Sequence, residues 1–477
     1  MKYNMVLEKV RQIIDLPHVL YLLISLFTGF IFLNIVPPLW GMDEPSHFAR
    51  AYQVAHGEII PNTSKGGNGG KMPDSFNKVD AYRVQDILDG APLDGTILHH
   101  KDVTNRGVYV GMLSNKFTKS ETRFHGTAPY SPFAYPGPIV GIEVARTFHS
   151  TIGVSFFMSR FFSLIIYSSI CFFALWLIRK SKIVWLFFMV ALLPTAIFQA
   201  SVVTADNILL AMALLFYSLY IRLFIGKDSK EIKKQLLVGL LAAGVLLPLI
   251  KINYIFISLS LVALPLMQYK SLQKKMLYGG AVVLVTTLPA FIWTLLVNTL
   301  QPSTVSQRAD GMMPGAGQQI SFIFQQPLHF IGVIIKTIIR DDGYFSGLFS
   351  TISGNNIKLP IIVTVAIFFA LLIAAFYAKD ELLKMKKVII IISAVSLVGA
   401  LSILATLYIS FNPVGWWIID GVQSRYFLPF LLPIVCLIAL LIPIQMNISR
   451  KNITILSLII SGGSLVIALL YSFISYY

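Results

Sequence analysis

About eleven long apolar runs dominate the chain, near 18–38, 155–178, 183–199, 205–225, 236–250, 252–268, 277–299, 358–378, 388–410, 426–445 and 452–474. Most approach the roughly 20 residues that carry a helix across a bilayer. The pattern predicts an all-α polytopic membrane protein of about 11 transmembrane helices. It forms one integral membrane domain over residues 1–477.

The polar segments between the runs set the orientation. Lys2/Lys9/Arg11, Arg179/Lys180/Lys182, Lys227/Lys230/Lys233/Lys234, Lys270/Lys274/Lys275, Lys379/Lys384/Lys386/Lys387 and Arg450/Lys451 sit in termini or short loops. With about eleven spans and a cytoplasmic start, every cluster falls inside. A further span at 132–148 breaks that alternation, and it would carry Glu143 and Arg146. That segment is expected to be an interfacial helix. The outer side then holds the long first loop (39–154), a second loop (300–357), and "FNPVGWWIIDGVQSRY", Phe411 to Tyr426. Within the first loop, "SKGGNGGK" (Ser64 to Lys71) is expected to be a flexible tip. No internal repeat is visible, which disfavours a transporter built from two related halves.

Composition agrees with the pattern. The chain is 56% apolar and only 13% charged, against about a quarter charged in soluble domains. The mean hydropathy is +0.74. The first run is too long for a signal peptide and is expected to be retained as a span. A net charge of +16 points to anionic membrane lipid and suits a phosphorylated substrate. The basic residues are dispersed between spans, so nucleic acid is not an expected partner. Cys171 and Cys436 lie inside apolar runs and do not report a redox compartment.

Chemistry concentrates where the first run ends, in "PPLWGMDEPSHFARAYQVAHGEIIP" (Pro37 to Pro61). Pro45 suits a first helical turn, Asp43 or Glu44 can cap it, and Gly57 can close it. The predicted helix covers about Pro45 to His56. Asp43, His47 and Arg50 then share one polar stripe. Phe48, Ala51, Tyr52 and Ala55 form an apolar face suited to the membrane surface. Three more ionisable residues stand at outer ends of runs. Asp206 in "SVVTADNILL" reads structurally as a helix cap, Lys251 in "PLIKINY" as a snorkelling lysine, and Arg425 in "GVQSRYFLPFLLP" as an interfacial anchor. Together they read as a site: two carboxylates for a hydroxyl nucleophile and two cations for a phosphate.

With "AYPGPIVG", "SRFF", "LP…QASVVTAD", "LIKINY" and "GVQSRYFLPFLLP" added to the opening motif, the chain resembles the DUF2142 family of bacterial membrane proteins. It also resembles the wider GT-C glycosyltransferases, and more distantly the aminoarabinose transferases and protein mannosyltransferases. The resemblance covers about residues 37 to 445. It implies a GT-C-like fold with interfacial helices in the first external loop and a cavity facing outward from the bacterial plasma membrane. It implies catalytic roles for Asp43, Glu44 and Asp206. It implies substrate-binding roles for His47, Arg50, Lys251, Arg425 and Tyr426. The "Glu-Lys-Pro" segment of the aminoarabinose transferases has no match, and "RFHGTAPYSP" (Arg123 to Pro132) stands in its place. No cofactor is assigned. A divalent metal beside Glu44 and His47 is allowed, although no ligand constellation stands out.

The expected function is transfer of a sugar from a polyprenyl-phosphate donor to a cell-envelope glycan acceptor, with inversion. The alternatives are a flippase for lipid-linked sugars and a non-catalytic polysaccharide-assembly subunit.

Overall fold

The computed structural model describes residues 16–64, 67–73, 119–124, 126–226, 228–300, 315–340, 347–349, 351–352 and 357–477. Among these residues, eight helices are long and apolar enough to cross a membrane. They are Pro17–Ile35, Ile152–Leu177, Asp206–Ile225, Lys230–Ile250, Leu272–Thr299, Lys386–Phe411, Ser424–Leu441 and Arg450–Tyr476.

The remaining three apolar runs fold differently. The run near 183–199 breaks into Val184–Ala191 and Pro194–Ala200, both buried throughout. Proline disfavours helical backbone at the residue before it, and Leu193 is extended at ψ 139. The run near 252–268 alternates short 3₁₀ and α turns. The run near 358–378 gives a helix of 17 residues, Ile361–Tyr377. Hydropathy finds apolar stretches but does not report whether the helix within them is continuous.

The broken segment occupies the middle of the bundle. Tyr167 donates to the Ala191 carbonyl at 2.9 Å, and Ser25 and Ser168 join the first helix to Ile152–Leu177 at 2.7 Å. At one end of the bundle Lys182 pairs with Asp380 at 3.1 Å, and the Lys182 amide donates to Glu381 at 2.9 Å. This end gathers basic segments. Asp43, Asp206, Lys251 and Arg425 gather at the other.

The segment 132–148 does form the expected helix, Pro136–Thr147. It packs along the first turns of Ile152–Leu177. A Cβ added at Gly137 would lie 2.7 Å from the Ser163 Cα, so glycine permits this close approach.

The helix of the opening motif is Glu44–Ala55, followed by Gly57 at φ +83. Its apolar face does not serve a membrane surface. Phe48 and Ala51 are fully buried, and Phe48 meets Phe156 edge-on at 5.1 Å. The face is covered by protein because Pro136–Thr147 and Ile152–Leu177 pack over it.

Two small sheets qualify the all-α expectation. Asn62–Ser64, Gly67–Pro73 and Lys119–Arg123 form a three-stranded antiparallel sheet, with Gly69 opposite Asn62 and Arg123. The expected flexible tip is therefore largely strand, although residues 65–66 lie outside the described set. Thr351–Ile352 pairs with Ile357–Lys358. In the second long loop, Ala316–Gln325 and Pro327–Ile339 meet at a bend of 106°.

Candidate functional site

Asp43 precedes the helix Glu44–Ala55 in left-handed backbone, at φ 54 and ψ 18. Aspartate tolerates that region better than most side chains. No side chain caps the helix. The Asp43 carboxylate instead reaches Arg425, whose Nη2 donates to Oδ2 at 2.6 Å. Arg425 Nη1 also approaches the Met42 carbonyl at 3.4 Å.

Arg425 stands in the 3₁₀ turn Ser424–Phe427 that opens its helix. Its Nε lies 3.1 Å from Asp206 Oδ2. Asp206 is the first residue of Asp206–Ile225, and its Oδ1 accepts from Lys251 Nζ. Lys251 follows Pro248 at the end of Lys230–Ile250, in extended backbone. Its ammonium sits 5.4 Å from the Tyr130 ring centre and 5.3 Å from that of Tyr426. The Tyr426 carbonyl accepts from the Tyr254 hydroxyl at 2.8 Å.

The structural readings of the three outer residues therefore give way. Asp206 is not a side-chain cap, Lys251 does not snorkel outward, and Arg425 is no surface anchor. They join one alternating chain of charges, Asp43, Arg425, Asp206, Lys251, in which Asp206 and Arg425 are buried and Lys251 is partly buried. The Asp43 side chain is 56% exposed, whereas that of Arg425 is 2% exposed. Asp43 is thus the accessible member of a cluster otherwise sealed in protein.

His47 lies beside this chain. It is buried between Tyr130 and Tyr135, and its Nδ1 is 2.8 Å from the Tyr135 hydroxyl. Burial, then the charge of Lys251, lowers its pKa to about 3, so the imidazole is neutral at physiological pH. Burial pushes the Asp43 carboxyl up. The charge and hydrogen bond of Arg425, with the charge of Lys251 beyond it, outweigh that effect and leave it below its ordinary value, so Asp43 is a carboxylate at neutral pH. Burial also raises the Tyr130 hydroxyl, which stays protonated.

Two residues of the opening motif turn away. Glu44 is fully buried and bound twice by Arg160, from Nε at 2.8 Å and from Nη2 at 2.6 Å. It also accepts from the Gly41 amide at 2.9 Å and the Val203 amide at 2.8 Å. A Cβ at Gly41 would lie 2.9 Å from the Glu44 carboxylate, so glycine keeps this approach open. Arg160 donates further to the carbonyls of Val36 at 2.7 Å and Pro37 at 2.9 Å. The pair ties the end of the first helix, the Asp43 turn and the segment before Asp206 together. Arg50 also leaves the predicted stripe. It binds the Tyr130 carbonyl at 3.1 Å and the Ile59 carbonyl at 2.5 Å, pinning the loop after its own helix.

The sequence assigns no role to Arg160, Tyr130 or Tyr135. Arg160 carried a usable signal, because an arginine inside an apolar helix demands a partner. Among the described residues, no group of three His, Cys, Asp or Glu side chains could hold a metal ion.

A multi-helix membrane bundle with a buried charge cluster at one end defines the class: a polytopic membrane protein whose polar site lies at its helix ends. The chain belongs to the family described as predicted membrane protein (DUF2142), whose model matches residues 26–435. That range contains every residue of the cluster. No curated protein and no solved structure matches the chain.

Proposed function

We propose that the protein is a GT-C-type glycosyltransferase of the bacterial plasma membrane, moving a sugar from a polyprenyl-phosphate donor to an envelope glycan. The reading takes the three shorter apolar segments as crossings, which gives eleven spans and turns the site outward. The observation that carries it is the position of Asp43. It is an exposed carboxylate held by a buried arginine, at the end of the bundle opposite the basic loops.

In this reading the acceptor hydroxyl attacks the anomeric carbon as the bond to the donor phosphate breaks. The hydroxyl proton passes to Asp43, and the lipid phosphate leaves with the bonding electrons. A phosphate is already a good leaving group, so positioning and electrostatics supply most of the catalysis.

The charges make a specific demand. Asp43 and Asp206 balance Arg425 and Lys251, so the resting cluster has no cation to spare. A donor phosphate at Arg425 competes with Asp43 for the guanidinium. Asp43 becomes more basic as that contact is shared, when a proton must be accepted. Asp206 keeps Lys251 and Arg425 in place throughout.

The test is a mass-resolved transfer assay with the purified protein and a panel of polyprenyl-phosphate sugars and glycan acceptors. A new glycosidic bond with release of polyprenyl phosphate supports the reading. Movement of intact lipid-linked sugar between leaflets, with no new bond, would make the protein a flippase instead.

A further inference from the structure

We infer that the bent pair Ala316–Gln325 and Pro327–Ile339 is an interfacial bracket that lays its apolar face into the lipid leaflet on the site's side of the membrane.

Its inner face is packed. Val333 and Thr337 are buried, and Phe330 stacks on Tyr408 of Lys386–Phe411 at 5.2 Å. The opposite face is bare. Phe324 and Leu328, on either side of the bend, are 82% and 81% exposed, and Ile331, Ile335, Ile338 and Ile339 are exposed with them. At 3.6 residues per turn the four isoleucines share one side with Leu328. His329 and Lys336 fall on its flank, where polar ends reach headgroups.

Three observations name lipid as the occupant. First, the bracket packs on a helix whose own bare residues, Leu397, Val398 and Leu401, are apolar. The two exposed surfaces belong to one continuous unit. Second, the Arg340 guanidinium lies 5.3 Å from the ring centre of the exposed Trp417, and tryptophan and arginine anchor proteins at headgroup level. Third, part of the bend's backbone is paired within the bracket itself. The Gln326 amide donates to the Phe322 carbonyl at 2.8 Å, and its carbonyl accepts from the Phe330 amide at 3.2 Å.

The charge pattern argues against a single crossing. The preceding long helix starts beside Lys270, Lys274 and Lys275, and Ile361–Tyr377 runs into Lys379, Lys384, Lys386 and Lys387. If both clusters lie on one side, residues 300 and 361 lie together on the other. The segment between them then enters and leaves by the same face. One arm of 13 residues is about 20 Å long, short of a roughly 30 Å hydrocarbon core.

The bracket also holds the loop that leads to Arg425. Thr337 Oγ1 accepts from the Ile419 amide at 3.0 Å, and Gln319 Oε1 from the Gly415 amide at 2.9 Å. Seating in the leaflet thereby steadies the approach to the site. The inference rests on this packing and on the charge topology, and does not depend on the transfer reaction.

The test uses the full chain with Cys171→Ala and Cys436→Ala, carrying one nitroxide at Leu328, Ile331 or Ile338, in nanodiscs of phosphatidylethanolamine and phosphatidylglycerol. Collision with oxygen should exceed collision with a water-soluble nickel chelate at all three positions. The reverse should hold for a label at the exposed Glu231. Preferred access of the nickel chelate at the bracket would overturn the inference, and so would low access of both probes, which means protein covers the face. In intact cells, Gly317→Cys and Arg340→Cys should both react with an impermeant thiol reagent. Reaction of one alone would show a single crossing.

Discussion

Arg425 bridges two carboxylates: its Nη2 donates to Asp43 at 2.6 Å, and its Nε lies 3.1 Å from Asp206. The Asp43 contact spans 382 positions of sequence. One planar guanidinium thus fixes the exposed acid against the buried one.

Lysine cannot reproduce that bridge, because a single ammonium lacks the guanidinium fork. Arg425→Lys should lower transfer by about tenfold to a hundredfold, equivalent to roughly 1.5–3 kcal/mol for one charge-assisted contact. Arg425→Gln should also lose about 3–5 kcal/mol of stability, since a buried charge partner disappears. Donor-dependent rates and denaturation of the purified variants check both. Unchanged kinetics in Arg425→Lys would return the residue to a purely structural role.

Glu44 and Arg160 should behave as a structural pair. Arg160→Met leaves a buried carboxylate uncompensated and should cost about 3–5 kcal/mol, as should Glu44→Met. The double variant should recover much of that loss. A thermal double-mutant cycle measures the coupling, and additive losses would show that the two residues act separately.

Much of this was legible in the sequence, for definite physical reasons. Asp43, Asp206, Lys251 and Arg425 stood out because ionisable residues at the ends of apolar runs are costly and few. Their pairing was not legible, because it joins positions far apart in the chain. The stripe through Asp43, His47 and Arg50 assumed that helical spacing decides what a side chain meets. Arg50 instead bends to carbonyls of the loop after its own helix. The adjacent letters Asp43-Glu44 looked like one acidic pair. The left-handed turn at Asp43 sends their side chains to different arginines, and one-dimensional periodicity carries no backbone φ. Pro194 marked a break in the run near 183–199, but hydropathy averaged over it.

His47 should make stability depend on acidity. Its folded pKa of about 3 lies below the ordinary 6.5, so the unfolded chain takes up a proton first. Stability from this group is complete above about pH 6.5 and falls as pH drops toward 3. The slope is at most about 1.4 kcal/mol per pH unit. Asp43 adds its own loss only below the ordinary carboxylate range, since its folded pKa is lowered. Melting curves from pH 7 to 4.5 should therefore flatten in His47→Gln. An identical slope in the variant would contradict the assignment.

Sidedness is open to direct measurement. On the eleven-span reading, Gly67→Cys should react with an impermeant thiol reagent from outside intact cells, and Ser229→Cys should not. Labelling at position 229 from outside would invert or dismantle the topology.

In the proposed reaction, the exposed carboxylate of Asp43 takes part in sugar transfer. Asparagine keeps the side chain's size and tolerates left-handed backbone, so Asp43→Asn removes the charge with little disturbance of the turn. The measurement is transfer rate and donor binding, side by side, for wild type and Asp43→Asn. Transfer should be abolished while polyprenyl-phosphate sugar still binds. Near wild-type turnover in Asp43→Asn would contradict that role.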